Sequence, residues 1–242
     1  MKALGNYFAL ARFGYWTKNI AIVPGFIIAY IELNAHIEIK TAIIAIISAC
    51  FISASNYIMN EYLDRATDKF HPVKKKRVLV HTPLNPHYVI LLYLLFLFAG
   101  LILAYLLGFW FFLTSIGLLI NGIVYNLHPM RAKDVAFVDV IVESFSNPMR
   151  FMLGWYAAGA TVFAPISILL SYWFFGTYLM CMKRRQELQK FNDMQDATSY
   201  RGSYAVYTPA MLLKYAVLML GLSGIFLAVY VNRIYEILSS FF

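Results

Sequence analysis

Apolar runs of about twenty residues alternate with short polar stretches along most of the 242-residue chain. At the helical rise of ~1.5 Å per residue, a run of that length crosses the hydrocarbon core of a bilayer. The pattern predicts seven spans, near 19–35, 41–60, 87–107, 109–127, 137–159, 161–182 and 210–231. Pro24 and Gly25 interrupt the first of them. The short tail "NRIYEILSSFF" after the seventh is too brief to cross and is expected to lie on the membrane interface. With no internal repeat and no low-complexity segment, residues 1–242 read as a single integral-membrane domain. The opening "MKALGNYFALARFGYW" lacks a small-residue cleavage site after a short apolar run and is expected to belong to the mature protein.

Composition supports this reading. Hydrophobic residues make up 61% of the chain and charged residues 13%, against roughly 25% charge in a soluble domain. The fold class expected is therefore all-α, a polytopic membrane bundle. Cys50 and Cys181 both lie in apolar stretches, without the spacing of a disulfide framework or a metal site.

The formal net charge of +8 matters through its distribution. Residues 1–18 carry Lys2, Arg12 and Lys18; residues 61–86 carry six lysines and arginines; residues 128–134 carry Arg131 and Lys133; residues 183–208 carry five more. The turns near 108 and 160 have none, and the connection near 36–40 holds only Lys40, against Glu38. Positive segments stay cytoplasmic. The N-terminus and all the polar motifs are thus expected on the cytoplasmic face, with the C-terminus outside.

Four polar passages could carry chemistry. In "NYIMNEYLDRATDKF", Asn56, Asn60, Asp64 and Asp68 recur every four residues, so one helix would align them as a single stripe. Carboxylates at the edge of the bilayer are costly without a role. Oxygen ligands there, Glu61 included, suit Mg²⁺, which keeps several waters and bridges carboxylates to substrate phosphates. The plainer alternative is a solvated helix end paired with Arg65 and Lys69. Next, "HPVKKKR" breaks the helix and presents Lys74, Lys75, Lys76 and Arg77, which fit phosphate oxygens or anionic lipid.

The third passage, "YNLHPMRAKD", offers Tyr125, Arg131 and Lys133. It leads into a second stripe of Asp139, Glu143, Asn147 and Arg150, running roughly 15–20 Å into the fifth span. Glu143 and Arg150 either neutralise each other there or line a polar cavity. The fourth, "KRRQEL…YRGSYAVYT", places Lys183 and Glu187 one turn apart, then supplies Tyr200, Arg201, Tyr204 and Tyr207. It also reads as a solvated hairpin.

"NEYLDRATD" resembles the Asp-rich first motif of the UbiA superfamily of intramembrane prenyltransferases, usually Asn-Asp-x-x-Asp-x-x-x-Asp, with Glu61 in place of the second-position aspartate. The continuations "FHPVKKKR", "YNLHPMRAKD" and "KRRQEL…YRGSYAVYT" are most similar to the branch containing decaprenyl-phosphate phosphoribosyltransferase. The resemblance covers about residues 15 to 215. It implies a helical bundle around a cytoplasm-facing polar cavity, with Mg²⁺ as cofactor.

Carried over residue by residue, it makes Asn60, Asp64 and Asp68 the catalytic, metal-holding set, with Glu61 as a further ligand. Lys74, Tyr125, Arg131, Lys133, Lys183, Glu187 and Arg201 become the donor-binding residues. It implies phosphoribosyl pyrophosphate as donor and a polyprenyl phosphate as acceptor, in the inner membrane of a bacterial-type cell, for cell-envelope glycan synthesis. The superfamily bundle has nine spans against the seven counted, so the chain is expected to be shortened at its C-terminal end. Its open wall would then be covered by lipid or by a second copy in a homo-oligomer. Nucleic acid is not an expected partner. Two other functions fit the same residues: transfer of a prenyl group from a prenyl diphosphate to an aromatic or other small acceptor, and a non-catalytic relative that binds lipid phosphate.

Overall fold

The structure is a computed structural model that describes residues 2–35 and 38–239. Residues 36 and 37 of the connection near 36–40, and residues 240–242 of the C-terminal tail, lie outside the described residues. Every regular element among the described residues is helical. The helices are α1 (Lys2–Ala9), α2 (Val23–Leu33), α3 (Ile39–Asp64), α4 (Val78–His81), α5 (Pro86–Leu106), α6 (Phe109–Asn126), α7 (Val138–Ala157), α8 (Ile166–Leu188), α9 (Met194–Tyr200) and α10 (Pro209–Ser239). A 3-10 stretch over Phe13–Ile22 leads into α2.

Five helices, α3, α5, α6, α8 and α10, are long and apolar enough to cross a membrane. The other two predicted spans behave differently for identifiable reasons. The first, 19–35, begins as a 3-10 stretch and becomes α-helical only at Val23, with Pro24 in the opening turn. Proline is tolerated there because its missing N–H would have no intrahelical partner. The resulting α2 has 11 residues. The fifth, α7, has the length but carries Asp139, Glu143 and Arg150. The tail predicted to leave the seventh span is instead continuous with it: α10 runs 31 residues, to Ser239, without a break.

α7 is the central helix. It packs against α2, α3, α6 and α8, while α3 pairs with α5 and α8 with α10. Phe151, Leu153 and Trp155 of α7 are buried with Ile22, Phe26 and Ile52 in the largest apolar cluster. Apolar burial is weak glue inside a lipid phase, so close contact between small residues matters more. At the α2–α7 crossing, a Cβ on Gly25 would come within 2.0 Å of the Phe151 carbonyl oxygen, and one on Gly154 within 2.0 Å of the Ile22 carbonyl oxygen. Both positions therefore require glycine. Ser48 of α3 similarly donates to the Gly100 carbonyl of α5 at 2.9 Å. Cys50 and Cys181 are free and buried, as expected.

Candidate active site

The ends of α3 and α6, the starts of α7 and the 3-10 turns after α3, and the end of α8 meet at one end of the bundle. They enclose a cavity of about 500 Å³. A second cavity, of about 550 Å³, lies at the opposite helix ends and contains one ion pair, Arg233 with Glu32 at 3.4 Å. The polar chemistry is concentrated in the first.

The α3 stripe is only partly helical. Asn56, Asn60 and Asp64 share a face, but α3 ends at Asp64, and Asp68 sits in a separate 3-10 turn, Asp68–Phe70. Asn60 Nδ2 donates to Asp64 Oδ2 at 2.9 Å and to Asn126 Oδ1 at 2.6 Å. Asp64 Oδ1 accepts from Lys133 Nζ and, at 3.4 Å, from Arg131 Nη2. Arg131 is also bound to Asp134 at 2.6 Å. Asp68 Oδ2 takes Arg77 Nη1 at 2.5 Å, while Asp68 Oδ1 is buried without a partner. Asn56 fits because Gly122 faces it: a Cβ there would fall 2.3 Å from Asn56 Oδ1.

Glu61 does not join this group. Its carboxylate pairs with Arg12 at 2.7 Å and, like Asp68, is not part of the cavity lining. Lys183 and Glu187, expected to act together from one face of α8, also part company. Lys183 meets Glu143 at 3.1 Å, whereas Glu187 accepts from His71 at 2.9 Å, Tyr204 at 2.5 Å and Lys74.

Of the predicted residues, Asn60, Asp64, Lys74, Tyr125, Lys183 and Arg201 line the cavity. Asp68, Arg131, Lys133 and Glu187 stand behind them as partners. In the wall itself, Arg184 gathers Asp139 at 2.8 Å, the Tyr125 hydroxyl at 2.8 Å, Glu187 at 3.4 Å and Glu143. Arg201 Nη1 donates to Tyr125 at 2.8 Å. Sequence reading assigned a role neither to Asn126, which bridges Asn60 and Lys133, nor to Lys18, which lines the cavity with Tyr15 from the 3-10 stretch. Lys18 carried no motif around it. Asn126 was hidden inside "YNLHP" because only tertiary contact shows that it faces α3.

The cations are held under strain. Burial lowers Lys74 to about 8, although Glu187 pulls the other way. Burial likewise lowers Lys133 to about 8, against Asp64. Asp68 is raised, first by burial and further by its neighbour Asp64, with Arg77 opposing. Such groups gain from an incoming ligand that supplies the missing charge.

The sequence pattern of the UbiA prenyltransferase family matches residues 21–242, most of the chain. The chain belongs to that family.

Solved structures of the UbiA fold superimpose closely. A UbiA homolog from Archaeoglobus fulgidus bound to GPP and Mg²⁺ matches with a TM-score of 0.76 at 21% identity, over 93% of this chain and 77% of that one. The same homolog bound to DMAPP and Mg²⁺ gives 0.77, at the same identity and coverage. A digeranylgeranylglyceryl phosphate synthase matches with a TM-score of 0.69 at 17% identity, over 97% and 80% of the two chains. These likenesses are of fold. The protein y4nM of Sinorhizobium fredii is 25% identical over 191 residues, 79% of this chain and 36% of its own length. The chain thus spans about a third of that relative.

Does this UbiA-family site suit a divalent ion? Among the described residues no three histidine, cysteine, aspartate or glutamate side chains cluster tightly enough to hold a metal. That excludes an all-protein cage, which Mg²⁺ rarely uses; one or two carboxylates plus substrate phosphates are its usual set. Asp64 and Asp68, with the Asn60 amide, provide those hard oxygens. The orphaned, buried Asp68 Oδ1 is an acceptor waiting for a cation. The residues present fit Mg²⁺.

Proposed function

We propose that the protein transfers a 5-phosphoribosyl group from phosphoribosyl pyrophosphate to a polyprenyl phosphate, releasing pyrophosphate. One observation carries this reading. Eight lysine and arginine side chains line the cavity; six are paired with Glu143 or with Glu61, Asp68, Asp139 and Glu187 behind it, and Lys18 and Arg150 have no carboxylate partner among the described residues. That surplus suits a reacting pair with more phosphates than a prenyl diphosphate and a neutral acceptor would bring.

Asp64 and Asp68, with Asn60 assisting, would hold Mg²⁺. When bound, the ion neutralises charge that builds on the diphosphate leaving group. Lys74, Arg77 and Arg201 grip diphosphate oxygens, and Lys133 and Arg131 keep Asp64 ionised and oriented. The bond between ribose C1 and the diphosphate oxygen breaks, the electron pair leaving with pyrophosphate. A new bond forms from an oxygen of the acceptor phosphate to C1. That phosphate is already an anion, so no side chain needs to remove a proton.

In this reading the segment from Phe13 to Leu33 and α7 complete a seven-span bundle with the five apolar helices. The cavity opens to the cytoplasm of a bacterial-type inner membrane, where the soluble donor is found. Residues 1–242 then act as one catalytic unit in cell-envelope glycan synthesis.

A second reading keeps the same aspartates and exchanges the donor for a prenyl diphosphate. One solved relative favours it, since its two structures hold GPP and DMAPP. Purified protein incubated with Mg²⁺, labelled phosphoribosyl pyrophosphate and a polyprenyl phosphate is expected to yield labelled lipid. No labelled lipid at any chain length, together with product from labelled prenyl diphosphate and an aromatic acceptor, would replace the first reading by the second.

A further inference from the structure

Arg150 is buried twelve residues into α7, about 18 Å from the start of the helix. Its position is fixed. Nε donates to Asn19 Oδ1 at 2.9 Å, and Nη1 donates to the Ser146 carbonyl at 3.1 Å and to its hydroxyl at 2.8 Å. Asn19 is itself locked, accepting from Ser53 of α3 at 3.0 Å. All three partners are neutral. Among the described residues no carboxylate stands within ion-pair distance of Arg150, and Nη2 has no partner while the side chain lines the cavity. Of the two acids on the same stripe, Glu143 is taken by Arg184, Lys183 and Tyr125, and Asp139 by Arg184 and Arg201.

Lys18 lines the same cavity and adjoins Asn19, which holds Arg150. Its Nζ lies 4.9 Å from the centre of the Tyr15 ring, and it too lacks a carboxylate within ion-pair distance among the described residues. A guanidinium kept in a low-dielectric bundle without a counterion is costly, and a fixed one with a free N–H edge is preorganised for an oxyanion. Through Asn19, Arg150 stands level with Ser53, eleven residues and about 16 Å along α3 from Asp64. The place is therefore separate from the aspartate end of the cavity.

We propose that Arg150 and Lys18 form a second anion subsite, deep in the membrane part of the cavity, which takes a phosphate other than the diphosphate held at Asp64 and Asp68. The proposal rests on the two-substrate reading given above. Two sources share this chemistry: the phosphate head of the lipid acceptor, and the phosphate on the far side of the sugar donor.

Isothermal titration of the full-length protein in detergent with farnesyl phosphate, farnesol and ribose 5-phosphate separates them. Arg150→Gln and Lys18→Gln are each expected to weaken one phosphate probe by about tenfold or more, leaving farnesol unchanged, with Arg150→Lys restoring part of the loss. Loss confined to farnesyl phosphate assigns the subsite to the lipid; loss confined to ribose 5-phosphate assigns it to the donor. Should Arg150→Gln fail to fold, Lys18→Gln carries the same readout. Equal binding of both phosphates by wild type and variants, or no phosphate binding by wild type, overturns the subsite. Binding that depends on Arg150 in a protein that makes no ribosylated lipid leaves the subsite standing and removes the ribosyl reaction instead.

Discussion

Two buried arginines face the same cavity from neighbouring helices and live in opposite surroundings. Arg184, on α8, is enclosed by Asp139, Glu143, Glu187 and the Tyr125 hydroxyl. Arg150, on α7, has an amide, a carbonyl and a hydroxyl. The first charge is neutralised by the protein and therefore holds α6, α7 and α8 together. The second is solvated only in part and therefore remains open to a ligand. Burial alone does not distinguish a structural charge from a binding one; what distinguishes them is whether the protein has already supplied the opposite sign.

The largest effect expected from breaking this contrast is on Arg184. Arg184→Met takes a charged partner from the buried Asp139 and Glu187 and the half-buried Glu143 at once, and removing one partner of a buried pair costs about 3–5 kcal/mol. A large fall in the thermal unfolding midpoint in detergent, without ligand, checks this. Arg150→Gln, made alongside, is expected to move that midpoint by much less. Equal losses from the two variants would erase the distinction.

Next in size is the aspartate end. Asp68→Asn preserves shape but weakens the orphaned acceptor, and turnover is expected to fall roughly a hundredfold or more, with the fold retained by circular dichroism. Intact turnover would remove Asp68 from the reaction.

The third test is pH. Lys74 and Lys133 have folded values of about 8 against ordinary values of 10.5. Above 8 they become neutral in the folded protein, so kcat/KM for an anionic donor is expected to fall as pH rises from 7 to 9. Stability moves the other way. Between about 8 and 10.5 the unfolded chain binds more protons than the folded one, so the fold gains stability as pH rises. Opposed trends in activity and unfolding midpoint across that window identify the two lysines; parallel trends would contradict them. The smallest effect on turnover is at Glu61, where Glu61→Gln removes the charge from the buried pair with Arg12 and is expected to leave the Mg²⁺ dependence of the reaction unchanged.

Much of this was legible in the pattern of residues. Apolar run lengths located α3, α5, α6, α8 and the start of α10, because a bilayer-scale helix leaves a long uniform signal. The polar passages correctly foretold that Asn60, Asp64, Lys74, Tyr125, Lys183 and Arg201 would meet. What was not legible depended on turns and on partner choice. Period-four spacing carried the α3 stripe through to Asp68, but the helix stops at Asp64 and a 3-10 turn delivers Asp68 by another route.

Glu143 and Arg150, seven apart on one helix, look like a self-neutralising pair. Spacing within a helix defines a shared face, not the neighbours across it, and α8 brings Lys183 and Arg184 to claim the glutamate. The tail, read as too short to cross and set on the interface, continues α10 as far as Ser239.

The glycine contact between α2 and α7 has a further consequence. Gly154 lies one turn beyond Arg150, and Gly25 lies shortly after Asn19, so the same two segments that touch at the glycines also meet at the arginine. Any sideways slip there would pull Asn19 away from the guanidinium. A single methyl at Gly154 would therefore act at a distance, detuning phosphate capture from a spot that no substrate ever reaches.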